Sequence, residues 1–370
     1  MILGVSAEQE ELRASVRRFL ADRAPLSRVR ALMDGGETDW AVWEQAGSQL
    51  GLQGLAIPEG YGGAGFSFAE QAVVLEEFGA ALYGGPYLAS AVLAATALLA
   101  SPDEGARREL LPGIASGQTV ATLAFTEDGG SWDPAAIRLS AIKDGAAWRL
   151  DGHKSFVLDG AAAGLILVAA ATDAGLSLFA VTADAAGLSP AALPALDQTR
   201  QLARLEFGGV TGRLIGSPGD GAAALDRALD VAAVALAAEQ LGGAQRALDM
   251  AVEYAKIRRQ FDRPIGSFQA IKHRCADLLL EVESLRSAVG YAAAAVAEDS
   301  AEIPVLASLV KAYGSETYFH VAAENIQIHG GIGFTWEHDA HLYFKRAKAS
   351  ELFLGDGAYH RERLANRIGL

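Results

Sequence analysis

Gln327-Ile328-His329-Gly330-Gly331-Ile332-Gly333-Phe334-Thr335 sets three glycines within four positions, directly after a segment, Val305 to Asn325, that reads as a helix. Glycine adopts left-handed backbone without a Cβ penalty and lets a ligand or another chain approach the main chain. The stretch then passes a polar turn and returns through Tyr343 to Lys348. A glycine-rich turn between helices by itself usually only changes direction. Its meaning depends on what else the chain offers.

Upstream lies Tyr254-Ala255-Lys256-Ile257-Arg258-Arg259-Gln260-Phe261-Asp262-Arg263-Pro264-Ile265-Gly266-Ser267-Phe268-Gln269, followed by Ala270-Ile271-Lys272-His273. Taken alone, Arg258, Arg259 and Arg263 form a solvated basic helix end. Taken with the Q-x-x-G-G turn, the segment resembles the C-terminal half of the acyl-CoA dehydrogenase family, and the resemblance extends over nearly the whole chain. In that family these two segments hold the FAD of the neighbouring subunit. Carried over, the resemblance implies cofactor-binding roles for Arg258, Phe261, Gln269, Gln327, Gly330 and Gly331. Arg258 offers a permanently charged planar fork for a pyrophosphate, Phe261 an apolar wall, the glutamines amides, and the glycines open backbone. A half-site that serves another chain's cofactor requires at least a dimer.

The chain has 370 residues, more than one ordinary core accommodates, so two or three domains are expected. Fifty-one per cent of residues are hydrophobic and only 8% aromatic, a balance that favours helices. The net charge of −14 argues against general nucleic-acid or anionic-membrane binding. The single cysteine, Cys275, excludes an internal disulfide, suits a reducing cytoplasm, and sits in a helical pattern as a packed thiol. The opening residues read as an acidic, amphipathic helix and not as a signal peptide. No apolar run approaches the ~18 residues of a membrane span. Val231 to Leu241 is interrupted by Glu239 and Gln240.

Helical spacing runs from Ser6 to about Met33 and again from Trp40 to Leu50. Gly51 to Gly63 breaks it with a proline and five glycines; this matches a P-x-x-x-G-G turn of the family. Further helices fit Ser67 to Tyr83, Tyr87 to Leu99 and Glu104 to Ala115. From Thr119 the period changes to short alternating runs, at Ala121 to Phe125, Ala147 to Leu150, Gly164 to Ala170, Leu176 to Val181 and Arg204 to Phe207. Helical period returns at about Gly219. The expected fold is mostly α with a central β domain, as in the acyl-CoA dehydrogenases: an N-terminal helical domain over residues 1–117, a small antiparallel β barrel or sandwich over 118–218, and a C-terminal helical bundle over 219–370.

Two β-domain loops carry the rest of the flavin resemblance. Phe125-Thr126-Glu127-Asp128-Gly129-Gly130-Ser131-Trp132-Asp133 stands against the family's T-E-P-G-A-G-S-D, with Thr126, Glu127, Gly129 and Asp133 matching. Asp128 takes the place of the proline, Ser131 of a glycine and Trp132 of the serine. Gly152 to Gly160 stands against G-x-K-x-W-I-T-N, with Phe156 in place of the tryptophan and Leu158 in place of a hydroxyl donor. Phenylalanine still covers an aromatic face; leucine offers no hydrogen bond. Thr126, Ser131, Phe156 and Leu158 are the expected contacts on this side.

Oxidising a saturated thioester needs a carboxylate to take the α-proton while a hydride leaves the β-carbon. Most members of the family carry it in Y-E-G-T, and here the corresponding residues read Phe353-Leu354-Gly355-Asp356. A second group carries it on the first long C-terminal helix, where Ala232 stands. Both positions lack an acid. Glu239, one heptad beyond Ala232, returns to within ~20° of the same helix face, ~10 Å along the axis. Within an apolar run it is the first candidate base, with a buried partner for a backbone amide, a lysine or an arginine as its structural alternative. Asp356 is the second, with loop capping as its alternative. The histidines show no metal-ligand spacing with carboxylate or thiolate.

Some actinobacterial members acting on steroid side chains assemble as α2β2 pairs, in which one chain holds the glutamate and the other completes the flavin site; this chain resembles the second type. The resemblance therefore implies αβ-desaturation of an acyl-CoA, an electron-accepting flavoprotein, and either a homo-oligomer or an α2β2 assembly. The alternative is a partner subunit that only completes the FAD site or the assembly.

Overall fold

The structure, a computed structural model, describes residues 6–33, 38–145 and 147–370. Residues 1–5, which enter the reading of the chain's opening, lie outside that range. The chain divides into two compact units, each drawn from separated stretches: Met1–Ala31, Phe68–Tyr83 and Ala233–Leu370 in one, Leu32–Ser67 and Gly84–Ala232 in the other.

The first unit is helical. α1 (Ala7–Arg23) starts with a capping box, in which Ser6 Oγ accepts from the Gln9 amide at 3.2 Å and Gln9 Oε1 accepts from the Ser6 amide at 3.1 Å. The single helix expected from Ser6 to Met33 is in fact two. Pro25 has no amide to donate and disfavours helical backbone before it, so α2 (Leu26–Met33) begins afresh. In the other unit α3 covers Trp40–Leu50; α4 (Phe68–Ala80) belongs again to the helical unit, where Arg13 and Arg17 of α1 grip its buried Glu77 at 3.2 and 2.8 Å.

The second unit continues with a π-helical stretch, Leu88–Ala94, then α5 (Ala95–Ala100) and α6 (Glu104–Ala115). Its seven strands among the described residues are β1 (Ala121–Ala124), β2 (Ser140–Asp144), β3 (Ala147–Leu158), β4 (Leu165–Thr172), β5 (Gly175–Thr182), β6 (Leu188–Leu193) and β7 (Leu202–Ile215). Pairing runs β4-β2-β3-β7-β5 and back to β4, which closes a barrel. Most pairs are antiparallel, as expected, but β1 and β2 run parallel to β4. The buried run Leu165 to Ala170 lies in that strand, and a strand covered on both faces reads as continuously apolar. β2 and β6 escaped the sequence reading. β6 is exposed and contains Pro190, which suits it only to an edge.

The long helices follow: α7 (Gly221–Ile257), α8 (Gln269–Ala297), α9 (Ile303–His329), α10 (Ala340–Leu352) and α11 (Gly357–Ile368). α4 and α7 meet backbone to backbone. A Cβ on Gly79 would fall 1.9 Å from the Glu239 carbonyl oxygen, and one on Gly242 would fall 1.7 Å from that of Glu76. No helix among the described residues is long and apolar enough to cross a membrane.

Candidate functional site

Each unit carries its own set of candidate residues. In the barrel unit the loop after β1 is stitched to β3. The Ser155 amide donates to the Thr126 carbonyl at 2.9 Å. Glu127 Oε1 accepts from the amides of Arg138 and Leu139 at 2.8 and 2.7 Å and from Lys154 Nζ at 2.9 Å, so its carboxyl lies below the ordinary carboxylate range despite the opposing effect of burial. The fully buried Lys154 ammonium is lowered to about 8 by desolvation.

Thr126 is buried, and its Oγ1 has no hydrogen-bond partner among the described residues. A buried hydroxyl left unmatched is costly; a bound ligand's acceptor or donor would complete it. Within a register break between Lys154 and Val157, Phe156 takes a left-handed backbone (φ 57°) and is 37% exposed. Bulges commonly re-aim a side chain in this way. Ser131 is exposed at the loop tip, where its Oγ accepts from the Asp133 amide at 3.2 Å. Trp132 packs on Phe125 with ring centroids 5.9 Å apart. Leu158 lies in the core, its carbonyl accepting from Thr122 Oγ1 at 2.5 Å.

In the helical unit, α7 ends in a two-residue ladder, Arg259 opposite Pro264 and Gln260 opposite Arg263. Phe261 (φ 52°) and Asp262 (φ 61°) form its turn, the two left-handed positions that a type I′ hairpin requires. Phe261 is thereby held 86% exposed, and Arg263 lies over the Phe268 ring at 3.9 Å. Ala251, Ala255 and Ile328 share one small core with Tyr254, Ile265, Ile271 and Cys275 packed on it, and His329 stacks on Tyr254 at 4.3 Å. The two motif segments, distant in sequence, thus meet. Arg258, Phe261, Gln269, Gln327, Gly330 and Gly331 are all exposed. Gly330 has φ 66°, and a Cβ on either glycine would find nothing within 4 Å.

The carboxylates behave differently. Glu239 is almost buried and pairs with Arg346 Nη1 at 2.7 Å, Arg346 itself being 1% exposed. The geometry is that of its structural alternative. Asp356 is exposed and caps α11, accepting from the Tyr359 amide at 2.8 Å. Leu354 is buried at φ 62°. His360 Nε2 meets its carbonyl at 2.9 Å, and Lys311 Nζ donates to the carbonyls of Gly355 and Glu351 at 2.8 and 3.1 Å and to Ser315 Oγ at 2.9 Å. Ala232 is fully buried. Arg346 and Lys311 were not singled out in the sequence, since nothing in a lone cation's spacing tells that it will be buried, and His360 was weighed there only as one of the histidines without metal-ligand spacing.

An unmatched buried hydroxyl beside an exposed aromatic on one unit fits a flavin. A guanidinium, an exposed phenyl ring, two amides and an open glycine backbone on the other fit a dinucleotide. Together with helix-barrel-helix order they define a flavoprotein oxidoreductase. The acyl-CoA dehydrogenase N-terminal, middle and C-terminal domain families match residues 6–118, 122–210 and 219–369. The chain belongs to the acyl-CoA dehydrogenase family, whose reaction is FAD-dependent dehydrogenation. It is 38% identical over 94% of its length to the acyl-CoA dehydrogenase IpdE2 of Mycobacterium tuberculosis, covering 93% of that protein. A solved structure of a variant of the Tcur3481-Tcur3483 steroid ACAD is 35% identical, with a TM-score of 0.90 and 99% of each chain covered. The ChsE4-ChsE5 complex from Mycobacterium tuberculosis is 30% identical, with a TM-score of 0.91 over 100% of this chain and 99% of that one.

Proposed function

We propose that the chain is the subunit of a heteromeric acyl-CoA dehydrogenase that completes an FAD site while a second chain supplies the base. One observation carries this: both positions that hold the glutamate in the family are apolar and buried here, at Leu354 and Ala232, whereas the outward-facing half-site is intact. Glu239 offers no free carboxylate in compensation, because its charge is matched by Arg346.

When bound, FAD accepts the hydride that leaves the β-carbon. In this reading Thr126 donates its unmatched hydroxyl proton to the cofactor, Phe156 covers a ring face and Ser131 lines the loop tip. Leu158 acts only by packing behind it. Arg258 neutralises the pyrophosphate of the neighbouring chain's cofactor, Phe261 walls it, and Gln269, Gln327, Gly330 and Gly331 receive the remainder. Asp356 shapes the loop as a cap. The three sequence domains are 1–117, 118–218 and 219–370. Similarity to a steroid dehydrogenase supports a bulky, ring-bearing acyl-CoA as substrate, and the two-chain composition of both similar assemblies supports an α2β2 form. Reoxidation by an electron-accepting flavoprotein and a cytoplasmic location complete the reading.

The visible absorption spectrum and native mass of the chain expressed alone test it. Little or no flavin is expected, with restoration on co-expression with a glutamate-bearing acyl-CoA dehydrogenase chain. One FAD per chain in an active homo-oligomer would overturn the two-chain reading.

A further inference from the structure

The loop that carries Thr126 has Asp128 where the family sequence has proline, and this carboxylate is gripped from two strands. Ser155 Oγ and Arg204 Nη1 both donate to it, and His153 Nε2 lies 3.2 Å from its Oδ2. His153 and Ser155 are alternate residues of β3 and point to one side of the strand, while Lys154 between them turns inward to Glu127. Arg204 comes from β7, which pairs with β3 here, and Glu206 Oε1 accepts from its Nε at 2.7 Å, fixing the fork. The bonds from Ser155 and Arg204 hold the Asp128 carboxyl below its usual range.

Proline fixes φ and stiffens a loop. Its loss here leaves aspartate followed by Gly129 and Gly130, the latter at φ 67°, a sequence with wide backbone freedom. Single exposed ion pairs contribute little, because two long side chains are ordered for one contact. Here one short carboxylate meets two donors, with the His153 imidazole beside it, and the serine among them is a short side chain with little freedom to lose. Resting on the assignment of this loop to FAD, we propose that Asp128, latched by Ser155, His153 and Arg204, is a positioning residue. The latch replaces the proline and holds Thr126 to Ser131 in the shape that receives the cofactor.

Hydrogen exchange of the ligand-free full chain reads the latch directly. Asp128→Ala is expected to speed exchange across residues 127–133 by about threefold to fivefold. Arg204→Ala should do nearly the same, the double variant should add little, and Asp128→Pro should restore protection. Unchanged exchange in Asp128→Ala overturns the latch. FAD titration of the assembled protein, followed by flavin fluorescence, then reads its purpose: weaker binding by a similar factor in Asp128→Ala, recovered in Asp128→Pro. Faster exchange with unaltered FAD affinity overturns the positioning role. A wild-type assembly that takes up no FAD overturns the cofactor assignment and the positioning role together, and leaves the exchange data describing loop architecture alone.

Discussion

Arg346 and Glu239 face each other at 2.7 Å with almost no solvent contact, and the consequence of breaking that pair depends on which partner goes. Removing one side strands a buried charge, which costs about 3–5 kcal/mol, whereas replacing both by apolar groups is often neutral. Arg346→Met is therefore expected to lower the denaturation midpoint severely, and Glu239→Leu combined with Arg346→Met to recover much of it. A catalytic Glu239 predicts the opposite ordering in the assembled enzyme: activity lost in Glu239→Gln with stability nearly intact. A second effect at this scale is titration. Burial lowers His360 to about 3 and His341 to about 4, while each titrates near 6.5 when unfolded. Their neutral forms support the fold fully above ~6.5, and that support is lost as pH falls through their folded values. The melting temperature should drop steeply between pH 6.5 and 4, less so in His360→Asn.

At the scale of elements, the exposed hairpin after α7 trades stability for presentation. Phe261 and Asp262 both sit in left-handed backbone, where Asn-Gly is the relaxed choice. Replacing the pair by Asn-Gly should raise the urea midpoint by the equivalent of ~1 kcal/mol and lower the flavin content of the assembled protein, because the ring that the strain presents is gone. Equal flavin content would show that Phe261 contributes nothing to the cofactor site. The same hairpin shows what the sequence can tell. Its motif was legible because residue types and spacing carried it, as were the helices Trp40–Leu50 and Glu104–Ala115, whose ends are marked by Asp39 and Asp103 caps and by glycine or serine stops. The break at Pro25 was written in the chain but outweighed by continuous apolar spacing. β2 and β6 are short and mostly exposed, with Ala141 their one buried residue, too little to impose a period, so pattern alone could not find them. The Glu239 partner was hidden for another reason: it comes from α10, more than a hundred residues away, and only the packed fold brings it near.

For the whole molecule, the decisive property in the proposed reading is the contrast between a well-kept outward half-site and a vacant base position. The six residues of that half-site face outward, and three of them, Phe261, Gly330 and Gly331, use backbone or exposure that the chain's own packing does not require. Buried apolar side chains at Leu354 and Ala232, by contrast, are committed to the interior. In the proposed reading, a chain built in this way gains its chemistry by assembly. Arg258 gives the sharpest test, since it is exposed at the end of α7 and its loss disturbs no core. Arg258→Ala should leave the circular dichroism and melting of the isolated chain unchanged, because surface substitutions commonly shift stability by only about 0.5 kcal/mol. In the co-expressed assembly it should release FAD, weakening binding by roughly tenfold to a hundredfold for loss of a charge-assisted bond to phosphate. Lysine at the same position should recover part of the affinity through its charge but not the two-pronged geometry. If both variants keep full flavin occupancy, Arg258 does not hold the cofactor of the assembly, and the half-site at the end of α7 loses its assigned role.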